Sequence, residues 1–423
     1  MRTRQVAGQT LALWLACSAT GFSVLGTDWP QFGGPNRDFK TDAKGLADSW
    51  PTGGPRRVWS RELGEGYSGI AVEGSRVFTM YRLARGLSPA GNATQEVVVA
   101  MDAATGKTLW EYRYDAPFLP SMKMEHGPGP HATPLVAGNL VYAAGVTGKF
   151  HALDKVTGKL VWSHDLHEEY GVLWGRGYSC SPLAYKNTVI LTLGAKGKAV
   201  AAFNQRDGRV VWIKQDFGYG YASPILINVD RQDQLVVFMA NEIAGLDPNN
   251  GDLLWSHPHR TDWGLNVSTP VWGEDGLLFC SSAYSGGSRV LQLTQKAGKT
   301  TVKQLWFTNQ MRIHHGNAVR LGDYVYGSSG DFGPAPLTAI DVKNGAIAWR
   351  DRTFTKATMV SAAGKLIIVD EDGTLALAVP AAQGLQVKSQ VQLLTSNAWT
   401  PPTLVGTRLY VRDRKTVHAL ELN

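Results

Sequence analysis

The sequence predicts an all-β fold: an eight-bladed β-propeller of four-stranded antiparallel blades, closed by its N- and C-terminal strands. Three observations predict it: a tryptophan motif that recurs at regular spacing, unpaired strand patterns at both ends of the repeat region, and the composition. The 423 residues include 47 glycines, 14 tryptophans and 14 tyrosines, and only 18% are charged. Such a composition is typical of many short strands joined by tight turns.

The motif is an apolar strand followed by D-x-x-T-G-x-x-x-W or a close variant. Its five clear copies end at Trp110, Trp162, Trp212, Trp255 and Trp349. The glycine four residues before each tryptophan suits the positive φ of a tight hairpin. The Asp or Asn eight residues before the tryptophan can accept hydrogen bonds from nearby backbone amides. We expect each tryptophan ring, on the return strand, to fill the gap against the next sheet.

Weaker copies bring the number of blades to eight. Trp306 follows a longer polar hairpin, and a further copy, near residues 375–392, lacks tryptophan. Trp59 lies on a return strand without a preceding hairpin, whereas the chain ends on an outgoing strand without a return. We therefore expect Val58–Glu62 to pair with Val417–Leu422, which removes two exposed sheet edges. Seven blades is the main alternative.

The first 26 residues resemble a signal peptide, with a basic start, a short apolar run and small residues at the end. They predict export to the periplasm or the extracellular space, with cleavage near Gly26. Lipid anchoring at Cys17 is the less favoured alternative, because Trp14 stands where lipoprotein signals usually carry leucine. The apolar run is too short to span a bilayer, and no other segment is predicted to be transmembrane.

The mature chain is predicted to have two parts. Residues 27–55 form an arm rich in proline and glycine, which Trp29, Phe32 and Trp50 anchor on the propeller. Residues 56–423 form the propeller itself. The net charge of +7 is dispersed, since no run of Lys and Arg exceeds two residues. We therefore predict no nucleic-acid partner.

Strand order predicts where ligands bind. If strands A to D run outward from the axis, the A–B and C–D turns share one face, and the B–C and D–A connections share the other. The D–A connections end nearest the axis and contain most of the unusual polar and aromatic residues. We expect them to form a funnel, a concave site of the kind that binds ligands. The predicted ligand-binding residues are Glu125, His126, His131, Trp174, Arg176, Tyr178, Trp263, His314, Asn317 and Asp331.

These residues also have simpler interpretations. Trp and Tyr at blade junctions often only pack between sheets, and Arg176 is either an anion clamp or an exposed loop residue. His126 and His131 are separated by Gly-Pro-Gly-Pro, which is no helix face, so no metal site is predicted. His314 and His315, if they lie in a strand, point to opposite faces, and then at most one lines the funnel.

The A-x-D-x-x-T-G-x-x-x-W repeat resembles the PQQ-like repeat of quinoprotein dehydrogenases and of the outer-membrane assembly lipoprotein BamB, over residues 56–423. The opening D-W-P-Q-F-G-G-P-N-R-D is similar to that of secreted bacterial PQQ-like propeller proteins. The resemblance implies the fold, but it does not imply that PQQ is bound. Quinoprotein alcohol dehydrogenases carry adjacent cysteines beneath the quinone and a set of calcium ligands. This sequence has no Cys-Cys pair and no recognisable calcium-ligand set.

Three functions follow as hypotheses. The first is a binding or scaffold module that uses its funnel face to hold a protein, a polysaccharide or a small molecule. The alternative is a PQQ-dependent oxidoreductase acting on an alcohol or sugar, with calcium, in which Arg176 contacts the quinone and a His or Asp is the base. The third is a hydrolase or lyase, although no paired carboxylates at recognisable spacing support a glycosidase. Whether the chain is an enzyme stays open at this point.

Overall fold

A computed structural model describes residues 28–83, 94–172, 174–395 and 397–423. The predicted signal peptide, its cleavage site and Cys17 lie outside the described residues. The described residues form eight sheets, each built on four antiparallel strands, and these are the blades of a propeller. One of the sheets gains a fifth, parallel strand from the arm. The predicted eight-bladed fold is confirmed, and the seven-bladed alternative is wrong.

The arm contributes β1 (Lys40–Thr41), and β2 (Arg56–Glu62) belongs to the last blade. Blade 1 contains β3 (Ala71–Glu73), β4 (Arg76–Arg82), β5 (Gln95–Asp102) and β6 (Thr108–Asp115). Blade 2 contains β7 (Leu135–Ala137), β8 (Leu140–Ala144), β9 (Lys149–Asp154) and β10 (Leu160–Asp165), followed by the short helix α1 (Leu166–Tyr170). Blade 3 contains β11 (Leu183–Tyr185), β12 (Thr188–Ala195), β13 (Lys198–Asn204) and β14 (Val210–Lys214). Blade 4 contains β15 (Ile225–Val229), β16 (Gln232–Phe238), β17 (Glu242–Leu246) and β18 (Leu253–Pro258).

Blade 5 contains β19 (Val271–Trp272), β20 (Leu277–Ser282), β21 (Gly287–Lys296) and β22 (Lys299–Thr308). Blade 6 contains β23 (Val319–Leu321), β24 (Tyr324–Ser328), β25 (Pro336–Asp341) and β26 (Ile347–Thr355). Blade 7 contains β27 (Thr358–Ala362), β28 (Lys365–Val369), β29 (Thr374–Ala381) and β30 (Gly384–Gln392). Blade 8 contains β31 (Thr403–Val405), β32 (Arg408–Arg412), β33 (Thr416–Glu421) and β2. Middle strands such as β5 are buried on both faces, because each blade is sandwiched between two others.

The two ends of the propeller pair within blade 8. Strand β2 lies antiparallel to β33, with Trp59 opposite Ala419 and Glu62 opposite Thr416. The predicted closure is confirmed. Because the first strand of the ring completes the last sheet, the blade has no half-formed edge at the seam.

The repeat motif joins neighbouring blades. Gly158, in the hairpin of blade 2, lies against the indole of Trp110 from blade 1, and a Cβ there would come within 2.6 Å of the ring. The same indole N–H donates to the carbonyl oxygen of Lys155 at 3.1 Å. The arrangement recurs between Trp59 and Gly106, Trp162 and Gly208, Trp212 and Gly251, and Trp306 and Gly345. Each of these glycines therefore packs against the tryptophan ring of the preceding blade. The expectation that the tryptophan rings fill the gap between neighbouring sheets is confirmed.

The hairpins lie on one face of the ring. The N–H of Lys155, in the C–D hairpin of blade 2, donates to the carbonyl oxygen of Asn139 in the A–B turn of the same blade at 2.9 Å. Asp154 accepts from the backbone N–H of Thr157 at 2.8 Å, as expected for the motif aspartate. Since both turns of a blade touch, they share one side, here called the hairpin face. The D–A connections lie on the opposite side, the funnel face.

The arm crosses the central channel. Trp29 exchanges two backbone hydrogen bonds with Val72 of β3, at 2.8 and 2.9 Å. The Arg37 guanidinium donates to the carbonyl oxygen of Pro182, beside β11, at 2.9 Å. Strand β1 pairs in parallel with β27, the innermost strand of blade 7. The arm thus contacts innermost strands on opposite sides of the ring. The sequence predicts that the arm is anchored on the propeller, but it does not predict this course.

Trp50 from the arm occupies the place of the tryptophan that blade 7 lacks. Ser389 in β30 pairs with Leu377 next to a bulge, the same register that Trp110 has opposite Ala100 in blade 1. The backbone N–H of Trp50 donates to the Ser389 hydroxyl at 2.6 Å. The Trp50 side chain is almost fully buried in the adjoining core. The arm therefore completes the packing of the ring.

Candidate ligand-binding site on the funnel face

The D–A connections before blades 1 to 6 and before blade 8 meet around one cavity of about 210 Å³, here called the funnel cavity. Its floor includes Phe32, which the arm brings into the channel. A second cavity of about 1160 Å³ opens on the hairpin face and is lined by Arg37 and charged A–B turn residues. The side chains that dominate the funnel cavity are Tyr67, His126, His131, Arg176, Tyr221, Tyr284, His314, His315 and Trp399.

Small hydroxyl residues link the blades at the base of the cavity. The N–H of Thr133 donates to the Ser181 hydroxyl at 3.0 Å, and the N–H of Ser181 donates to the Ser223 hydroxyl at 2.9 Å. Each residue stands two positions before strand A of its blade and precedes a proline. The sequence carries this signal as a Thr-Pro or Ser-Pro pair before each of these strands.

One wall of the cavity is a continuous series of rings. Tyr67 stacks on His131, with centroids 6.0 Å apart, and on Trp399, with centroids 5.1 Å apart. His315 lies 4.6 Å from Trp399, and His314 lies 4.7 Å from His315. Tyr67 is not among the predicted residues, because the Gly-rich segment G-E-G-Y-S that contains it is typical of a turn.

The partly buried imidazoles of His131, His314 and His315 are neutral at pH 7. Burial lowers the pKa of His131 to about 4, and it lowers the pKa of His314 to about 4 as well. Burial holds the pKa of His315 well below its usual value, and the neighbouring His314 lowers it further. The Tyr284 hydroxyl and His314 Nε2 are 2.9 Å apart. A neutral imidazole has one donor and one acceptor nitrogen, so the wall can exchange hydrogen bonds in both directions.

Both His314 and His315 line the cavity. The expectation that at most one of them would do so assumed that they lie in a strand. They precede β23 instead, in the irregular D–A connection, so the alternation of a strand does not apply to them.

Arg176 is the one Lys or Arg among the described residues of the cavity lining, and no carboxylate is among them. Its Nε lies 3.4 Å from the carboxylate of Glu125, which is half-exposed outside the lining. The Glu125 carboxylate also lies 3.6 Å from His126 Nε2. The cavity therefore presents a guanidinium to an incoming ligand, with a competing carboxylate just outside.

Of the other predicted residues, Asn317 alone lines the cavity. Trp174 and Tyr178 are 1% and 0% exposed and pack between blades 2 and 3, in the simpler role considered for aromatic residues at junctions. Asn317 lies at the cavity, but its amide is used twice by the backbone of Met359 in blade 7. Trp263 and Asp331 lie outside the cavity lining.

The alternative function, a PQQ-dependent oxidoreductase, needs calcium ligands beside the quinone. Calcium in proteins is held by several oxygen ligands, with carboxylates prominent among them. The described lining offers imidazole, hydroxyl and guanidinium groups, and the Asn317 amide is already occupied. No cluster of three or more His, Cys, Asp or Glu side chains in the described part of the chain is suited to a metal ion. These residues do not fit a calcium-bound quinone.

Eight blades, contacts between hairpin glycines and the tryptophans of preceding blades, and a cavity on the funnel face define a PQQ-like repeat propeller. The family model described as "Outer membrane protein assembly factor BamB" matches residues 47–165 and 93–351, and the chain belongs to this family. Within the described residues, no helix has the length and apolar character needed to cross a membrane.

Relatives and solved structures agree with this family. BamB from Yersinia pestis is 24% identical over 301 residues, which cover 67% of this chain and 72% of the relative. The quinoprotein alcohol dehydrogenase PedH from Pseudomonas putida is 29% identical over 219 residues, 46% of this chain but only 31% of the relative. The structure of BamB from Moraxella catarrhalis matches with a TM-score of 0.61 and 17% identity, covering 87% of this chain and 99% of that one. The quinohemoprotein alcohol dehydrogenase of Comamonas testosteroni matches with a TM-score of 0.67 and 14% identity, covering 93% and 80%. At these identities the structural likenesses show the fold alone.

Proposed function

We propose that the protein is an exported binding module that holds a small ligand, a ring bearing a carboxylate, in the funnel cavity. The observation that carries this proposal is the lining itself: one guanidinium, no carboxylate, and walls of aromatic rings and neutral imidazoles. Export rests on the signal-like N-terminus, with the periplasm or the extracellular space as the destination. The relatives' name refers to outer membrane protein assembly, and a scaffold role in that setting is compatible with a ligand held on the funnel face.

Each part of the lining has a counterpart in such a ligand. The Arg176 guanidinium can donate two parallel hydrogen bonds to a carboxylate. Tyr67 and Trp399 offer ring faces that contact the flat, apolar side of a ring. His131, His314 and the Ser and Thr hydroxyls at the base of the cavity can exchange hydrogen bonds with hydroxyl or carbonyl groups of the ligand. A concave aromatic cavity with few polar groups is the general form of a small-molecule site.

The Glu125 carboxylate offers a second test, because its removal should change the ligand affinity in the opposite direction from the removal of Arg176. In Arg176→Ala a carboxylate ligand loses its charged partner, so binding should weaken by about 1.5–3 kcal/mol, the range for hydrogen bonds to charged groups. In Glu125→Gln the guanidinium is released from its neighbour at 3.4 Å, so binding should strengthen. Thermal stability should change little in either variant, because both side chains are substantially exposed and their ion pair is a surface one.

The experiment is calorimetric titration of the wild type, both variants and a matched control with two probes. The control is Arg312→Ala, an arginine of similar exposure that pairs with Asp331 at 3.0 Å outside the cavity lining. Glucuronate represents a sugar acid, and pyrroloquinoline quinone represents a planar aromatic acid. Binding of either probe that Arg176→Ala weakens and Arg312→Ala does not supports the proposal. Absence of any Arg176-dependent binding of both probes would overturn it.

A further inference from the structure

A shelf of aromatic rings extends outward from the edge of the funnel cavity. It is formed by Trp263, Tyr284 and Phe332, with centroids 4.8 Å apart between Trp263 and Tyr284 and 5.4 Å apart between Tyr284 and Phe332. Trp263 is 59% exposed and Phe332 is 74% exposed. Single exposed aromatic residues need no explanation, but two adjoining ones at the edge of a concave site are typical of a contact surface.

The shelf is continuous with the cavity. Tyr284 lines the cavity and touches both exposed rings, and its hydroxyl lies 2.9 Å from His314 Nε2 inside the site. A ligand that fills the cavity and continues outward past Tyr284 therefore reaches Trp263 and Phe332 next.

The backbone beneath the shelf is held in an uncommon conformation. Tyr284 and Ser285 have φ angles of 52° and 68°, and the N–H of Gly286 donates to the carbonyl oxygen of Ala283 at 3.0 Å. Two positive φ angles in a tight turn are ordinarily left to Asn and Gly. The Asp262 carboxylate accepts from the Ser285 hydroxyl at 2.8 Å, which ties the Trp263 loop to the same turn. Tyrosine at a position that disfavours it is a pattern found at functional sites.

Resting on the proposed function, we infer that the ligand is the end of an acidic oligosaccharide chain. Its acidic sugar occupies the funnel cavity, with its carboxylate on Arg176, and the neutral sugars that follow lie on the shelf. Sugar rings have apolar C–H faces that pack on exposed aromatic rings, and their hydroxyls match the neutral imidazoles and Ser/Thr hydroxyls of the cavity.

The size of the shelf favours a glycan over a protein. A stable protein interface buries about 800 Å² on each partner, whereas the shelf consists of three rings beside a narrow concave site. The nearby carboxylates already have local partners: Asp331 lies 3.0 Å from the Arg312 guanidinium, and Asp262 accepts from the Ser285 hydroxyl. The shelf itself consists of uncharged rings, so an uncharged chain of sugars can lie on it without a countercharge.

The test compares glucuronate with an aldotetraouronic acid, in which one glucuronate is linked to three xylose units. The tetrasaccharide should bind about tenfold more tightly than glucuronate, the equivalent of one or two aromatic contacts. In the double variant Trp263→Ala and Phe332→Ala this gain should vanish while the affinity for glucuronate is unchanged. Phe307→Ala, which removes an exposed ring on the outer strand β22, is the matched control and should retain the gain.

The outcomes separate this inference from the proposed function. If glucuronate binds and the tetrasaccharide binds no tighter, or if the gain survives in the double variant, the shelf inference is overturned and the cavity proposal stands. If neither sugar binds in an Arg176-dependent way, the sugar-acid ligand itself is refuted. A tetraglutamate peptide that binds with the same dependence on Trp263 and Phe332 would assign the shelf to peptides instead. Unchanged melting temperatures in the variants confirm that the exposed rings are not needed for folding.

Discussion

The contact between Gly158 and Trp110, which joins blades 1 and 2, can be tested by adding one methyl group. In Gly158→Ala the new Cβ meets the Trp110 ring at 2.6 Å, closer than any van der Waals contact, so the ring or the hairpin must move. The φ angle of Gly158 is +71°, where an L-residue costs about 1–2 kcal/mol. Crowding a well-packed core typically costs a further 1–3 kcal/mol. Some of this is offset, by about 0.4–1 kcal/mol, because alanine restricts the unfolded chain.

We expect Gly158→Ala to lower the free energy of unfolding by about 2–4 kcal/mol. Gly298→Ala is the matched control: its φ is +78° in the hairpin of blade 5, but a Cβ there meets nothing within 4 Å. This variant introduces the backbone strain of a positive φ without a steric clash. Its free energy of unfolding should fall by about 1 kcal/mol. The measurement is denaturant unfolding followed by tryptophan fluorescence. Equal destabilisation by the two variants would refute a stabilising role for the close Gly158–Trp110 contact, because backbone strain alone would then explain both effects.

Three further outcomes are expected. Deleting residues 416–423 removes β33 and leaves β2 unpaired, so the melting temperature should fall steeply, and an unchanged value would contradict ring closure. Trp50→Ala empties a buried site and should cost about 3–5 kcal/mol, whereas the exposed Trp263→Ala should leave unfolding nearly unchanged. Burial lowers the pKa of His131 and of His151 to about 4, so both are neutral when folded and take up protons on unfolding. The free energy of unfolding therefore has its full value above about pH 6.5. As the pH drops toward 4 it falls by up to about 1.4 kcal/mol for each pH unit and for each histidine. His151→Phe should flatten this slope in urea midpoints measured between pH 7 and 4.5, and an unaltered slope would exclude His151 as its source.

The positions of side chains around the funnel were only partly predictable. His126, His131, Arg176 and His314 line the cavity, as strand order predicts, because a D–A connection must end near the axis whatever its conformation. Trp174 is expected there for the same reason, but its ring points into the junction between blades. The direction of this ring depends on residues outside its own loop: Gly148 lies against the Trp174 ring, and the indole N–H donates to the carbonyl oxygen of Leu193 at 3.2 Å.

The sequence by itself determined the number of blades, the closure of the ring and the face that carries the hairpins. These follow from a local pattern repeated in register, since each Asp-to-Trp unit specifies its own hairpin and the next blade's contact. Only the tertiary structure decided the course of the arm, the substitution of Trp50 for the tryptophan missing at Ser389, and the meeting of Trp263, Tyr284 and Phe332. Those features join segments that share no repeat and no local pattern. Their positions are set by which non-local surfaces remain unfilled once the ring has closed.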